Sequence, residues 1–219
     1  MKQPWHIDQP NLLEQFKRDL AKTYPDLCVI ESCGVVIAQG GFPILQDASE
    51  LDRFQIRMVV PATFPKKIPI VFELGGRVPL NNPDWHTYDG GSLCLIVPEE
   101  WLINPQHESL MAFLNGPVRN YFIAHALSEE GIGRPMGERP HFGDGLWEAY
   151  GEMVASKDRA LTQRFLECLA DDKIRGHVKC PCGSDKKMRH CHMAHLLELK
   201  KKIKSAIAES ALKRLKLRD

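Results

Sequence analysis

Two cysteine-bearing strings in this chain of 219 residues carry the residue types that chemistry needs. In the first, Asp84-Trp-His-Thr-Tyr-Asp-Gly-Gly-Ser-Leu-Cys94-Leu, one thiol follows a polar glycine turn, with His86 upstream. A cysteine thiolate is both nucleophile and leaving group, so Cys94 could take up an acyl group as a thioester and later release it. His86 could donate a ring N–H to the oxyanion formed on the way, or act as a base near its unperturbed pKa of about 6.5. Asn81 and Asn82 are further candidate donors, and Asp89, Glu99 and Glu100 are candidates to orient an incoming amine. The second string, Cys180-Pro-Cys-Gly-Ser-Asp-Lys-Lys-Met-Arg-His-Cys-His192, gathers Cys180, Cys182, Cys191 and His192. Three thiolates and one imidazole can close a tetrahedral Zn2+ site with no open position, which organises the surrounding chain rather than catalysing. His177, His190 and His195 are expected to be solvated neighbours of that site or groups bonded to its ligands, rather than ligands.

The elements that must position these residues follow from periodicity. From Asn11 to Tyr24, Leu12, Leu13, Phe16 and Leu20 recur at helical spacing, and Asn11 can cap the start. Cys28 to Ala38 is rich in Val and Ile, and Phe54 to Val60 alternates apolar with polar as a half-buried antiparallel strand should. Gly40-Gly41 and Gln46 to Glu50 are expected to turn the chain between them, and Ile68 to Leu74 gives a third strand, with Pro69 near its start or at an edge. Leu74 to Leu95, with two Gly-Gly pairs, is an ordered loop of the kind that carries function. Helices are expected over Glu108–Leu127, Trp147–Ala170 and Ala194–Leu217, with Gly131 to Gly145 as a crossing segment. One helix, a small meander, a loop and then helices make an α+β chain.

Composition narrows the partners. A net charge of +1 singles out no polyanion, and charge asymmetry is confined to the C-terminal stretch, where Lys200, Lys201, Lys202, Lys204, Lys213, Arg214, Lys216 and Arg218 crowd together. Leu196, Leu199, Ile203, Ile207, Leu212 and Leu215 offer that stretch an apolar stripe, which could cover the protein's own body, an acidic partner or an anionic membrane. No aromatics interleave the basic residues, so nucleic acid has no strong case. No apolar window approaches the ~18 residues of a membrane span and no signal peptide is evident, so a cytoplasmic protein is expected. Seven cysteines, four of them clustered, suit a reducing compartment, with Cys28, Cys33 and Cys168 expected as reduced thiols in or near the core. No P-loop is present, so any ATP-dependent activation belongs to another protein.

Taken in order, the helix, the meander, the run Pro61-Ala-Thr-Phe-Pro-Lys-Lys-Ile-Pro-Ile-Val-Phe72, the loop, Cys94 and Trp101 resemble the ubiquitin-conjugating-enzyme fold. Pro61, Phe64, Pro65 and Pro69 stand where that family carries Pro-x-x-Tyr-Pro-x-x-x-Pro, and Gly91-Ser92-Leu93-Cys94-Leu95 matches its Gly-Ser-Ile-Cys-Leu. The resemblance covers roughly residues 10 to 155. Where eukaryotic members carry His-Pro-Asn, this chain has Asp84-Trp85-His86, similar to bacterial members found in CBASS antiphage operons with a cGAS-like nucleotidyltransferase. The second string resembles the SEC-C motif, with Asp185 in place of that motif's second glycine.

These resemblances imply a conjugating domain over 1–157, a connecting helix over 158–178, and a zinc motif with a basic helix over 179–219. They imply a thioester on Cys94 with a partner's C-terminal carboxylate, that of a glycine, served by a separate activating enzyme. The partner would be the cGAS-like nucleotidyltransferase, and the effect regulation of its antiviral signalling. The rival from another class is a non-catalytic adaptor that clamps its partner through the fold and the zinc motif. A thiol hydrolase is a third, and would need an orienter for His86.

Overall fold

The computed structural model describes residues 3–32, 34–46, 49–132 and 143–216. Packing divides the chain into two units, Met1–Glu138 and Arg139–Asp219. The helices Gly143–Val154 and Arg159–Ala170, the latter within the expected connecting helix 158–178, pack with the C-terminal elements.

The first unit begins with α1 (Trp5–Asp8) and α2 (Pro10–Thr23). The proline at the start of α2 gives up an N–H that has no intrahelical partner there. Leu13, Phe16 and Leu20 are buried along one side of α2, as their spacing predicts. Four antiparallel strands follow in sheet order, β1 (Leu27–Ser32), β2 (Val35–Gln46), β3 (Ser49–Val60) and β4 (Ile70–Glu73). The expected meander therefore has one strand more: the Val/Ile-rich run from Cys28 to Ala38 folds back at Gly34 and forms β1 and the start of β2. Gly40 and Gly41 lie inside β2 rather than in a turn. A Cβ on Gly40 would meet the Asp26 carbonyl oxygen at 2.0 Å, so glycine here serves close backbone approach.

Alternate residues of β3 (Phe54, Ile56, Met58, Val60) face inward, where Phe54 stacks on Phe122 with ring centroids 4.5 Å apart. On the other face, Ile30, Ile37, Val59 and Ile70 form one cross-strand row. Three short helical pieces, α3 (Pro98–Leu102), α4 (Leu110–Phe113) and α5 (Arg119–Glu129), complete the unit; a π-helical turn, Leu114–Val118, containing Pro117, joins the last two. Pro117 has no N–H to donate, so the single helix expected over Glu108–Leu127 changes pitch there. Cys28 is exposed and Cys168 half-buried, so Cys28 is not a core thiol; Cys33 lies outside the described residues.

The second unit contains α6 (Gly143–Val154), α7 (Arg159–Ala170), α8 (Met193–Lys202) and α9 (Ser205–Lys216). Most of the expected Gly131–Gly145 crossing lies outside the described residues. The helix expected over Trp147–Ala170 is broken at Ala155, whose φ is +56°, and restarts where the Asp158 carboxylate accepts the Leu161 N–H at 2.7 Å. The C-terminal helix is likewise two, separated at the buried Ile203. Ala208, Ala211 and Leu215 bury one side of α9, which packs on α7 and α6. The Lys200 ammonium donates to the Leu169 carbonyl at 2.8 Å and to the Asp171 carbonyl, closing the carboxyl end of α7. No described helix is long and apolar enough to cross a membrane.

Candidate active site and metal centre

The loop after β4 is built around a small hairpin. Thr87 and Leu93 pair antiparallel, the Tyr88 N–H donates to the Ser92 carbonyl at 2.9 Å, and the Cys94 N–H donates to the His86 carbonyl at 2.7 Å. His86 and Cys94 thus stand opposite one another. Asp89-Gly90-Gly91 makes the turn; Gly91 has φ +76°, a conformation that costs glycine nothing. The hairpin hangs on β4, with Phe72 paired to Ser92 and the Leu93 N–H donating to the Val71 carbonyl at 2.8 Å.

Alternation decides which side chains face out. Thr87 and Leu93 are buried, whereas His86, Ser92 and Cys94 are half-buried and Tyr88 is exposed. Tyr88, Ser92 and Cys94 share the outward face, because residues two apart or directly opposite do so in a hairpin, whereas His86, with φ +52°, stands outside that alternation at the hairpin's entry. The Tyr88 hydroxyl donates to the Cys94 Sγ at 3.1 Å. Sequence reasoning passed over Tyr88, although in a hairpin turning at Asp89-Gly90-Gly91 its place opposite Ser92, two before Cys94, is the strand-period signal that puts it on the thiol's face.

Beneath the hairpin, the Thr87 Oγ1 accepts the Asn82 N–H at 2.8 Å and lies 3.0 Å from the Pro79 carbonyl and 3.1 Å from that of Asn82. Tyr121 on α5 donates to the Trp85 carbonyl at 2.6 Å, and Trp85 packs on the buried His125 ring at 4.7 Å. The Glu73 carboxylate accepts the Gly75 N–H at 2.7 Å and the Arg77 N–H at 3.0 Å where the loop leaves β4. Arg77 in turn bridges Asp52 on β3, at 2.8 Å, and Glu129 on α5, and lies over the Phe54 ring at 4.0 Å. That guanidinium holds the Asp52 carboxyl below the usual carboxylate range.

The remaining candidates sit as follows. The Asn81 amide NH2 is directed at the Asp89 carbonyl at 2.5 Å and the Tyr88 carbonyl at 3.2 Å, which makes it a brace of the turn. The Asn82 Oδ1 accepts the Asp84 N–H at 3.0 Å, fixing the entry to the 3-10 turn Pro83–Trp85. Asp89 is exposed at the hairpin tip, Glu99 is buried on α3 and Glu100 is half-buried. Trp101 is buried and meets Phe113 edge-on at 5.3 Å. The Phe64–Pro65 bond within the proline run is cis.

In the second unit, ligand atoms of Cys180, Cys182, Cys191 and His192 lie within 4.8 Å of one another and could hold a metal ion. His192 presents Nδ1, 3.2 Å from the Sγ of both Cys180 and Cys191, and the Cys182 and Cys191 sulfurs are 3.5 Å apart. A tetrahedral cation with metal–sulfur bonds of ~2.3 Å sets edges of ~3.8 Å, close to these separations. A tight turn shapes it. Lys179 pairs with Lys187, the Cys180 N–H donates to the Lys186 carbonyl at 2.8 Å, and Gly183 and Asp185 have φ of +78° and +57°. Asp185 thus adopts the conformation a glycine would favour there, and its carboxylate pairs with Lys179 at 2.6 Å. The Ser184 hydroxyl and N–H beside Cys182 hold that thiol down at about 6, while burial pushes Cys180 up to about 11. His177 and His190 are exposed; His195, also exposed, has its Nε2 3.4 Å from the Val154 carbonyl.

Compared with protein-family models, with curated proteins and with solved structures, the chain matches none.

Proposed function

We propose that the first unit is an acyl carrier of the ubiquitin-conjugating type, in which Cys94 holds a partner protein's C-terminal carboxyl group as a thioester and passes it to a nucleophile. The observation that carries this reading is Cys94 on a hairpin whose other face is buried, with the Tyr88 hydroxyl 3.1 Å from its sulfur and its N–H bound to the His86 carbonyl. In loading, the Cys94 sulfur attacks a carboxyl group already activated on another enzyme, forming the C–S bond as the activating group leaves. In discharge, an amine attacks the thioester carbon, the C–N bond forms, the C–S bond breaks and the amine's proton passes to His86 or solvent. The sequence resemblance supplies the biological setting: a cGAS-like nucleotidyltransferase, or another protein ending in glycine, as cargo, in a cytoplasmic CBASS antiphage system. Cys180, Cys182, Cys191 and His192 hold a structural Zn2+ that orders their turn.

The test is intact-mass analysis of the Cys94→Ser protein expressed with its neighbouring genes, where an oxyester outlasts the thioester. The expected result is a covalent partner, released by mild base and absent from Cys94→Ala. No adduct with the partner still co-purifying would replace the carrier with the adaptor.

A further inference from the structure

We propose that Tyr88 is a catalytic residue of this thioester chemistry, its hydroxyl stabilising the Cys94 sulfur as the leaving thiolate. The inference rests on the carrier reading and deepens it. When an amine displaces the acyl group, the electron pair of the breaking C–S bond stays on sulfur, and a donor already aimed at that atom lowers the barrier to its departure. The Tyr88 hydroxyl is such a donor, 3.1 Å from Sγ. Its place is fixed from both sides: the Tyr88 N–H is bound to the Ser92 carbonyl and the Cys94 N–H to that of His86, so donor and sulfur project from one rigid hairpin.

The asparagines do not supply this contact. The Asn81 NH2 is directed at the carbonyls of Tyr88 and Asp89, and the Asn82 side-chain oxygen accepts from Asp84. Tyr88 is 38% exposed, outside the buried core, with its hydroxyl turned to the sulfur. The same donor serves loading, where the attacking species is the thiolate.

Tyr88→Phe keeps the ring and removes the hydroxyl. Cys94 can be loaded without any partner by exchange with a small aryl thioester, which releases the aryl thiolate, and then discharged with hydroxylamine under single-turnover conditions. The expected result is discharge about tenfold slower in Tyr88→Phe, the worth of a hydrogen bond to a charged group. Alkylation of Cys94 by iodoacetamide, read peptide by peptide against the exposed Cys28 of the same molecule, should fall about threefold. That effect is smaller because a less stabilised thiolate is also a better nucleophile. Unchanged discharge and alkylation would overturn the proposal, as would losses that merely track a lowered unfolding temperature. These readouts need no partner protein, so a Tyr88 effect without a covalent adduct on Cys94→Ser would mark failure of the carrier reading alone.

Discussion

The two cysteine centres differ in how far along the chain their parts are drawn. The metal centre takes its four ligands from Cys180 to His192 and shapes them with contacts inside the same turn, the Lys179–Lys187 pairing and the Cys180 N–H to Lys186 carbonyl bond. The Cys94 centre needs β4 to hang the hairpin, Pro79 and Asn82 to seat Thr87, and Tyr121 on α5 to hold Trp85. A short closure costs little chain entropy, so the metal can organise the first centre almost alone. The second has no such clip and borrows its rigidity from a packed sheet and helix. A compact centre of this kind takes its shape from contacts within its own turn, and a dispersed one from its neighbours.

The strongest way to break that contrast is to remove a ligand. On the zinc reading proposed above, Cys180→Ser should abolish zinc binding and unfold the turn, since the binding free energy of a structural zinc, about 10 kcal/mol or more, is also folding free energy. Metal analysis and limited proteolysis between 176 and 192 would show it, while iodoacetamide labelling of Cys94 should stay unchanged.

The complementary change is Thr87→Val, which keeps the shape and deletes the hydroxyl beneath the hairpin. It leaves the Asn82 N–H without its acceptor in a partly buried loop, at a cost of about 2 kcal/mol. Denaturant unfolding should register that loss, and hydrogen exchange should speed up across 79–95 with metal content unaffected.

A smaller effect sharpens the role of the distant supports. Asp52 has its pKa lowered by Arg77, so the ion pair contributes stability above the unfolded carboxylate value of about 3.9, and that contribution is lost as pH falls through the lower folded value. Both groups are partly exposed, which limits the pair to about 1 kcal/mol. Arg77→Met should therefore cost about 1 kcal/mol at neutral pH and flatten the acid limb of the stability curve below pH ~4. An acid limb identical to that of the unaltered protein would place the stabilisation in packing on Phe54 instead.

Much of this was legible in the residues. The periodicity of Leu13, Phe16 and Leu20 marks α2, the alternation of Phe54, Ile56 and Met58 marks the core face of β3, and the metal ligands announce themselves by type and spacing. Three helix spans were readable only as continuous stripes, because apolar periodicity runs through breaks made by Pro117, by Ala155 with its capping Asp158, and at Ile203. The β1–β2 fold-back was hidden for a similar reason, since Val and Ile continue on either side of Gly34. Asp185 shows the reverse case, a departure from the expected glycine that the structure accommodates at φ +57°.

The α+β order of elements, the thiol after a glycine turn and the four-ligand string can be read from residue type at short spacing. That Tyr88 donates to Cys94, that Asn81 and Asn82 brace the loop, and that α9 buries Ala208, Ala211 and Leu215 against α7 and α6 emerges from the fold alone. Those outcomes depend on which of several satisfiable partners a side chain meets. Pairing across a sheet and packing between helices settle that choice, and no local pattern records it.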